Sequence, residues 1–503
     1  MLNLKDFNNG GLNQLQTIGE ALLQFKKKGK KVIVSEDYYT QAQYFLASYA
    51  DEVFLNPMGF IDIHGFGNYR LYYREALEKL RIKYAIFKVG EFKSALEPIT
   101  RNNMSEKDRM QNNQWLNGLW SLYLDTVARQ RGLSQEILSN YSEKIDVALQ
   151  QTGGDIAQLA LKLKLVDRIM TREQCRKFLE KFAGGKDNFI PSEDYLIANH
   201  SKYKKQKSKG GQVGILVAEG TILPGKQSAG TIGSESLSTA IRKAGKNRDI
   251  KALVLRVNSP GGSAFASEII RQALLEFKKT KKPLVVSMGS YAASGGYWIS
   301  ADSDEIWASA ATLTGSIGIF GALPDFSESL ATLGIHSDGT GTTPLAAGLN
   351  ITRTLPPNLK GAIQQNVEHS YEQFLSIVAN GRKMPIQEIR KLAGGRVYDG
   401  VSARAIGLVD NLVSLDDAIQ SAAKLAGLSH ANPMYLREKE TVEEQLLEYL
   451  SSDFNFNTTA PQFFNNSNSI YKYASFLLNS AEKVLLPSDP LGIYALSMVH
   501  FNL

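Results

Sequence analysis

VSMGSYAASGGYWISADSDEIW, residues 286–307, is matched by VSEDYYTQAQYFLASYADEVF at residues 34–54, with one residue of slack between the two stretches. From Tyr38 and Tyr291 onward the offset is a constant 253 residues, and it holds as far as Gly65 and Gly318. Self-similarity over such a distance indicates an internal duplication. The fold is therefore decided by one unit that occurs twice in this chain.

The similarity extends outward in both directions from these two stretches. LNLKDFNNGG (2–11) matches LVLRVNSPGG (253–262), and ALKLKLVD (160–167) matches ARAIGLVD (403–410). Each copy reads as an apolar strand, Gly-Gly, an amphipathic helix, a second strand, a loop with a helix, and a third strand. Such alternation of strands and helices predicts an α/β fold with parallel core sheets.

The predicted organisation has four parts. An N-terminal repeat (1–200) is followed by a basic linker (201–211), a C-terminal repeat (212–430) and a C-terminal helical extension (431–503). The second repeat starts with QVGILVAEGTI (212–222), for which the first has no counterpart, so we expect the first repeat to lack its first strand. The extension contains the helical runs TVEEQLLEYL and YASFLLNSAEKVLL.

Composition excludes several classes of protein. Hydrophobic residues make up 43% of the 503 residues and charged residues 21%, as in ordinary folded proteins. The single cysteine, Cys175, rules out an intramolecular disulfide. The net charge of +7 is spread out, except for KYKKQKSK (202–209), which is typical of a solvated linker. We therefore expect no nucleic-acid partner. The sequence has no apolar run of 18 residues, and its first residues, MLNLKDFNNGG, do not have the basic start and apolar block expected of a signal peptide.

Ser294 is the candidate nucleophile. It lies in YAASGGYW, after an apolar strand and before a helix-like run, where neighbouring amides could hold an oxyanion. A capping serine in a glycine-rich turn is the simpler alternative. In the first repeat its counterpart is Gln41, so only the second copy could host a nucleophile. The turn NSPGGS (258–263) offers the Gly262 amide as a second donor.

Lys93 is the candidate base. A serine hydroxyl needs a base, and a buried lysine with a lowered pKa can supply one. Lys93 lies in VGEFKSALEP (89–98), after the strand YAIFKV, and its repeat mate is Pro344. The lysine is thus present only in the first copy and the serine only in the second. This reciprocal loss predicts one composite site where the copies meet.

A Ser–His–Asp triad is the weaker alternative. His64, in FIDIHGFG, is the best histidine candidate, but its repeat mate is the apolar Ile317. Glu97, beside the lysine loop, could be an electrostatic partner of Lys93 or a structural residue.

VGEFKSALEP, NSPGGS, SYAASGGYWIS and TLTGSIGIFG together resemble the signal peptide peptidase A (protease IV) family in its long, two-repeat bacterial form. The resemblance implies a Clp-protease/crotonase-like fold and a Ser/Lys dyad of Ser294 and Lys93. It also implies Gly262 and Gly295 as oxyanion donors and Ser316, in TGSIG, as the residue that orients the lysine.

The same resemblance implies a homotetramer that degrades cleaved signal peptides and other apolar peptides at the periplasmic face of the bacterial inner membrane, without metal or cofactor. Long-form members begin with a transmembrane anchor, which this sequence does not show. Two rival functions stay open. One is a crotonase-like acyl-CoA thioester enzyme, and the other is a scaffold that binds peptides without cutting them.

Overall fold

A computed structural model describes residues 1–7, 9–203, 211–436, 489 and 492–498. The strands of the first repeat are β1 (Ile33–Glu36), β2 (Glu52–Leu55), β3 (Lys83–Val89) and β4 (Arg168–Ile169). Its helices are α1 (Leu12–Lys27), α2 (Gln41–Ala47), α3 (Arg74–Lys79), α4 (Glu97–Thr100), α5 (Glu106–Arg131), α6 (Gln135–Glu143), α7 (Ile145–Leu149), α8 (Ile156–Lys162), α9 (Arg172–Ala183) and α10 (Ser192–Tyr203). Short 3₁₀ turns cover Ser94–Leu96, Gln150–Thr152 and Lys186–Asn188.

The second repeat and the residues after it contain the remaining elements. The strands are β5 (Gln212–Glu219), β6 (Thr221–Leu223), β7 (Thr231–Gly233), β8 (Ile250–Ser259), β9 (Gly261–Ser263), β10 (Leu284–Ala293), β11 (Glu305–Ala308), β12 (Leu313–Gly315), β13 (Ile319–Asp325), β14 (Val397–Asp399), β15 (Asn411–Leu412), β16 (Pro433–Tyr435) and β17 (Tyr494–Leu496). The helices are α11 (Ser234–Lys246), α12 (Ala264–Lys279), α13 (Gly295–Trp298), α14 (Ser327–Thr332), α15 (Pro357–Arg382), α16 (Ile386–Leu392), α17 (Gly400–Ala405) and α18 (Leu415–Leu425).

Three sheets organise these strands. A parallel three-stranded sheet has the order β1-β2-β4, and an eight-stranded sheet has β14-β12-β10-β8-β5-β16 as its main path. In the larger sheet β5, β8, β10 and β12 pair in parallel, as the alternation of strands and helices predicted. The third sheet has the order β3-β13-β17-β9-β6-β7. The predicted fold class, a duplicated α/β unit with parallel core sheets, is confirmed.

The residues at the two ends of the long helix α5 explain where this helix begins and where it ends. The Ser105 side chain accepts a hydrogen bond from the Asp108 amide at the N-terminus, and Gly132 ends the helix in the left-handed conformation. The first turn carries acidic residues and the last turn basic ones, which suits the helix dipole. Its counterpart in the second repeat, α15, also has 26 residues.

The two repeats share a sheet and a core. β3 of the first repeat pairs antiparallel with β13 of the second over seven residues, from Val89 opposite Ile319 to Lys83 opposite Asp325. Ala311, Leu313 and Val397 of the second repeat lie in the same apolar cluster as the core of the first. The loops that follow β3 and β10 are thereby held close to each other.

The predicted boundaries stay predictions. The second repeat begins with β5 at Gln212, while most of the basic linker and both helical runs of the extension lie outside the described residues. The parts of the extension that are described correct the expectation of helix, because β16 and β17 are strands that pair with the sheets of the second repeat. Within the described part of the chain, no helix is both long enough and apolar enough to cross a membrane.

Candidate active site

Ser294 lies at the turn between β10 and α13, as predicted. β10 is buried along nearly its whole length, and its last residue is Ala293. Ser294 has φ +56° and ψ −112°, a conformation that a residue with a side chain rarely adopts and that costs about 1–3 kcal/mol. Its amide donates to the Gly315 carbonyl at 2.8 Å, and its carbonyl accepts from the Trp298 amide. The surrounding backbone therefore holds the main chain of Ser294 in this conformation.

Lys93 is held by a loop that leaves β3. The loop turns at Gly90, and the Phe92 amide donates to the Gly394 carbonyl at 2.8 Å. The 3₁₀ turn Ser94–Leu96 follows, and Leu96 packs with Phe320 of β13 in a small apolar cluster. The loop thus lies against the second repeat and directs the lysine side chain toward it.

The two candidate residues are in contact. The Lys93 Nζ lies 2.8 Å from the Ser294 Oγ, and it also lies 3.1 Å from both the carbonyl oxygen and the Oγ of Ser316. Side chains 201 residues apart in the sequence thereby form one cluster. A neutral amine can donate its two N–H groups to Ser316 and turn its lone pair to the Ser294 hydroxyl.

Burial determines the charge of the lysine. Lys93 is 2% exposed and Ser294 is 0% exposed. Loss of solvent lowers the pKa of Lys93 well below its usual value, because burial disfavours the ammonium form. The ring of Phe320, whose centroid lies 5.9 Å from the Nζ, is the neighbouring aromatic group. The arrangement can therefore keep an amine neutral next to a hydroxyl.

The predicted oxyanion donors lie on two adjoining elements. Gly262 is on β9, and Gly295 is the first residue of α13. A Cβ on Gly261 would stand 2.6 Å from the Gly295 nitrogen, so the two backbones touch. Since any side chain at position 261 would push them apart, the Pro-Gly-Gly turn is what allows this approach.

The contacts of His64, Glu97 and Cys175 are those of structural residues. His64 lies in the first repeat, where its Nδ1 is 2.9 Å from an Asp62 carboxylate oxygen and its ring is exposed. The Glu97 carboxylate accepts from the amide and hydroxyl of Ser105, at the N-terminus of α5. Cys175 is buried against the apolar residues Ile33 and Phe54.

In the first repeat, Gln41 occupies the position that corresponds to Ser294. The Gln41 Oε1 accepts from the amides of His64 and Gly65, and its Nε2 donates to the Gly65 carbonyl. The side-chain amide thus ties down the loop that in the second repeat carries Ser316.

Two contributors were missed from the sequence. Gly395 packs directly on the backbone of Lys93, and β17 lies beside β9. The Gly-Gly pair at 394–395 was a visible signal of close backbone approach. The three-residue strand β17 had no comparable signal, because it is too short to show periodicity.

A buried serine at the end of a central strand, in a duplicated α/β fold, is the arrangement of a serine-type peptidase. The model of peptidase family S49 matches residues 24–185 and 276–429, and the chain belongs to that family. The resemblance to signal peptide peptidase A is confirmed by its relatives. "Protease 4" of Salmonella typhi is 39% identical over 453 residues, which cover 90% of this chain and 73% of that protein.

Two other relatives of this chain are also named as proteases. "Protease 4" of Haemophilus influenzae is 37% identical over 457 residues, with the same shares of each chain. "Serine protease SPPA, chloroplastic" of Arabidopsis thaliana is 27% identical over 448 residues, 88% of this chain and 65% of that protein.

Two solved structures are also similar. ClpP1 from Listeria monocytogenes has a TM-score of 0.26 at 14% identity and covers 41% of this chain and 93% of its own. The membrane-bound stomatin-specific protease 1510-N has a TM-score of 0.28 at 14% identity, with 46% and 99% covered.

Proposed function

We propose that this chain is an endopeptidase with a Ser/Lys dyad, in which Ser294 is the nucleophile and Lys93 the general base. The observation that carries the proposal is the 2.8 Å contact between the Lys93 Nζ and the Ser294 Oγ, at a buried amine whose pKa is lowered. A base must lie within hydrogen-bond reach of the proton that it removes and be unprotonated at the working pH. The contact supplies the first condition, and the lowered pKa of Lys93 favours the second.

The chemistry proceeds through an acyl-enzyme. Lys93 takes the hydroxyl proton as the Ser294 Oγ attacks a peptide carbonyl carbon. The amides of Gly262 and Gly295 bind the oxyanion, and the loss of one such donor typically costs about 10²–10³ in rate. The C–N bond then breaks, and the Lys93 ammonium gives its proton to the leaving amine.

Deacylation uses the same groups in the same roles. Water attacks the ester carbon and passes a proton to Lys93, which returns it to the Ser294 oxygen as the acid leaves. Ser316 positions the amine throughout, since both its carbonyl and its hydroxyl lie 3.1 Å from the Nζ.

The substrates in this proposal are extended apolar peptides, cleaved signal peptides among them. They would bind as added strands, with main-chain hydrogen bonds for affinity and pockets for alternate side chains. The relative of this chain in Enterococcus faecium is named "Putative signal peptide peptidase SppA", which supports this substrate class. The homotetramer and the periplasmic face of the inner membrane belong to the same proposal and rest on the resemblance.

A serine-directed fluorophosphonate probe tests the dyad. We expect labelling of the full chain to be lost in both Ser294→Ala and Lys93→Met. The half-buried Ser376, on α15, and the exposed Lys226 supply matched controls, and Ser376→Ala and Lys226→Met should label like the unaltered chain. Labelling that survives in Lys93→Met would contradict the dyad.

The same variants separate the rival functions. A crotonase-like enzyme would turn over an acyl-CoA thioester equally well with Ser294→Ala. A peptide-binding scaffold would bind an apolar peptide but show no probe labelling in any variant.

A further inference from the structure

A cavity of about 520 Å³ lies between the two repeats, and neither Ser294 nor Lys93 lines it. One wall is the start of the first repeat, from Phe7 to Ile18, and the other is formed mainly by β8, β10 and the N-terminus of α18. Its volume is within the range of small-molecule sites, which are mostly apolar with a few polar groups that orient the ligand. The apolar lining includes Phe7, Ile18, Met288, Val413 and Leu415.

Arg256, on β8, is the cationic group of the lining. Its Nη1 donates to the Ser287 hydroxyl at 2.9 Å and to the Met288 carbonyl at 2.7 Å. Within the part of the chain that the structure describes, its Nε and Nη2 have no hydrogen-bond partner and the guanidinium has no ion pair. Burial lowers the pKa of Arg256, and the neighbouring Tyr435 and Glu219 compensate only in part. The guanidinium is therefore oriented by β10 but keeps N–H groups for an anion.

Asn13, on α1, brings a second donor to the same cavity. Its side chain is 6% exposed. The Oδ1 accepts from the Ser290 hydroxyl at 2.8 Å and from the Gln14 amide at 2.9 Å. Since a backbone amide can only donate, the atom that it meets must be the oxygen, and the Nδ2 is the other branch of the group. Among the described residues the Nδ2 has no partner, so a donor on a buried side chain is left for a ligand.

Both donors are anchored to one stretch of β10. Arg256 bonds to residues 287 and 288 of this strand and Asn13 to residue 290, so the two side chains are held near each other. The planar guanidinium matches the two oxygens of a carboxylate. Asp416, the acidic group of the lining, is exposed, where water weakens its repulsion of an anion. One cation with apolar walls favours a ligand with a single negative charge over a phosphate.

We propose that this cavity binds a monocarboxylate with an apolar body, whose carboxylate lies on the Arg256 guanidinium and the Asn13 Nδ2. The site goes beyond the proposed peptidase function and does not depend on the dyad. Two sources share this chemistry. One is the free C-terminus of a short apolar peptide, the kind of product that peptide cleavage releases, and the other is a fatty acid.

Isothermal titration calorimetry tests the site on the full chain with Ser294→Ala, so that no ligand is turned over. The ligands are N-acetyl-alanyl-leucine, its C-terminal amide, and octanoate. We expect the acid that fits the site to bind with a dissociation constant of about 0.1–1 mM, as ligands of this size allow. The amide should bind about tenfold or more weakly than its acid, because it lacks the charge that strengthens the hydrogen bonds to Arg256.

Two variants remove the site in different ways. Arg256→Met should weaken binding of the acid about 10–100-fold, because it removes the charge-assisted hydrogen bonds. Thr17→Trp should weaken it as much, since Thr17 is exposed and lines the cavity, so that an indole fills the space without entering the core. The controls are Arg242→Met, at an exposed arginine of α11, and Thr332→Trp, at an exposed threonine of α14. The Thr332 hydroxyl, like that of Thr17, donates to a carbonyl of its own helix.

Binding of an acid that is lost in both variants and kept in both controls supports the site, and the acid that binds more tightly identifies the source. If Arg256→Met does not fold, Thr17→Trp and the amide decide the result. The site is overturned if neither acid binds, if the amide binds as tightly as its acid, or if a folded variant binds as its control does. Because every measurement is made without the Ser294 hydroxyl, a failure of the peptidase function leaves this result unchanged.

Discussion

Gly395 and Lys93 touch backbone to backbone: a Cβ on Gly395 would stand 2.6 Å from the Lys93 amide nitrogen and 2.7 Å from its Cα. Gly395 also has φ +89°, and its amide donates to the Ile317 carbonyl at 2.8 Å. The loop that carries the lysine is therefore seated on a glycine of the other repeat.

Gly395→Ala should displace this loop and reduce kcat/KM about 10²-fold, because a shift of about 1 Å at a reacting group has effects of that size. Peptide cleavage assays measure the loss. The matched control is Gly427→Ala, at φ +69° with open space around it, which pays a similar backbone cost without a clash. Equal losses in the two variants would assign the effect to backbone strain alone.

The pH dependence of cleavage should report the buried amine. Because burial lowers the pKa of Lys93, the amine is protonated and inactive below that pKa and becomes a base above it. We expect kcat/KM to rise with pH through the depressed pKa and then to level off. A profile that rises only near the ordinary lysine pKa, about 10.4, would contradict a desolvated base.

Ser316→Ala should move that profile to lower pH. The Ser316 Oγ accepts from the Lys93 Nζ, and an acceptor favours the ammonium over the amine, so its loss lowers the pKa of Lys93 further. The Ser316 carbonyl still holds the amine, and we expect the plateau rate to fall only about tenfold. Ser376→Ala should leave both the profile and the rate unchanged. A lower rate without a shift in the profile would indicate a general structural effect.

Lys93→Met should stabilise the protein while it removes activity. In the unfolded chain the lysine has its ordinary pKa, so at any pH between the depressed and the ordinary pKa folding releases its proton, and this costs free energy. We expect the variant to raise the free energy of unfolding at pH 7 by about 0.5–2 kcal/mol, as found when a functional site is traded for stability.

Denaturant unfolding at several pH values checks the cause. The unfolded state binds the extra proton between the depressed and the ordinary pKa, so the unaltered chain gains stability as pH rises through that window. The advantage of Lys93→Met should therefore shrink toward pH 10. Lys226→Met, at an exposed position, should show no such trend.

The contact between Lys93 and Ser294 could be predicted because the duplication supplies an internal comparison. In the other copy Lys93 is replaced by Pro344 and Ser294 by Gln41, and that exchange indicated a shared site. The turn around Ser294 followed from its small neighbours. Ser316 was implied only by the family resemblance, and its contacts with the Lys93 Nζ became visible only in the structure.

Other features could not be predicted, for physical reasons. The support of Lys93 by Gly395 depends on the packing of two loops across the repeat interface. The pairing of β17 depends on single backbone hydrogen bonds to β9, more than 200 residues away, which leave no periodic pattern in the sequence. The hydrogen bond from the Ser294 amide to the Gly315 carbonyl is likewise a backbone contact, which the identity of the side chains does not predict.

The pairing of β3 with β13 also sets the order of events on the ribosome. At about 5–20 residues per second, the 201 residues that separate Lys93 from Ser294 take about 10–40 s to synthesise. β3 has no partner strand until β13, which follows Ser294 in the sequence, has also been made, and its two lysines, Lys83 and Lys88, are the kind of charge that discourages wrong strand pairing. A nascent chain thus carries only half of the proposed dyad, so it cannot cut its neighbours before its own synthesis is well advanced.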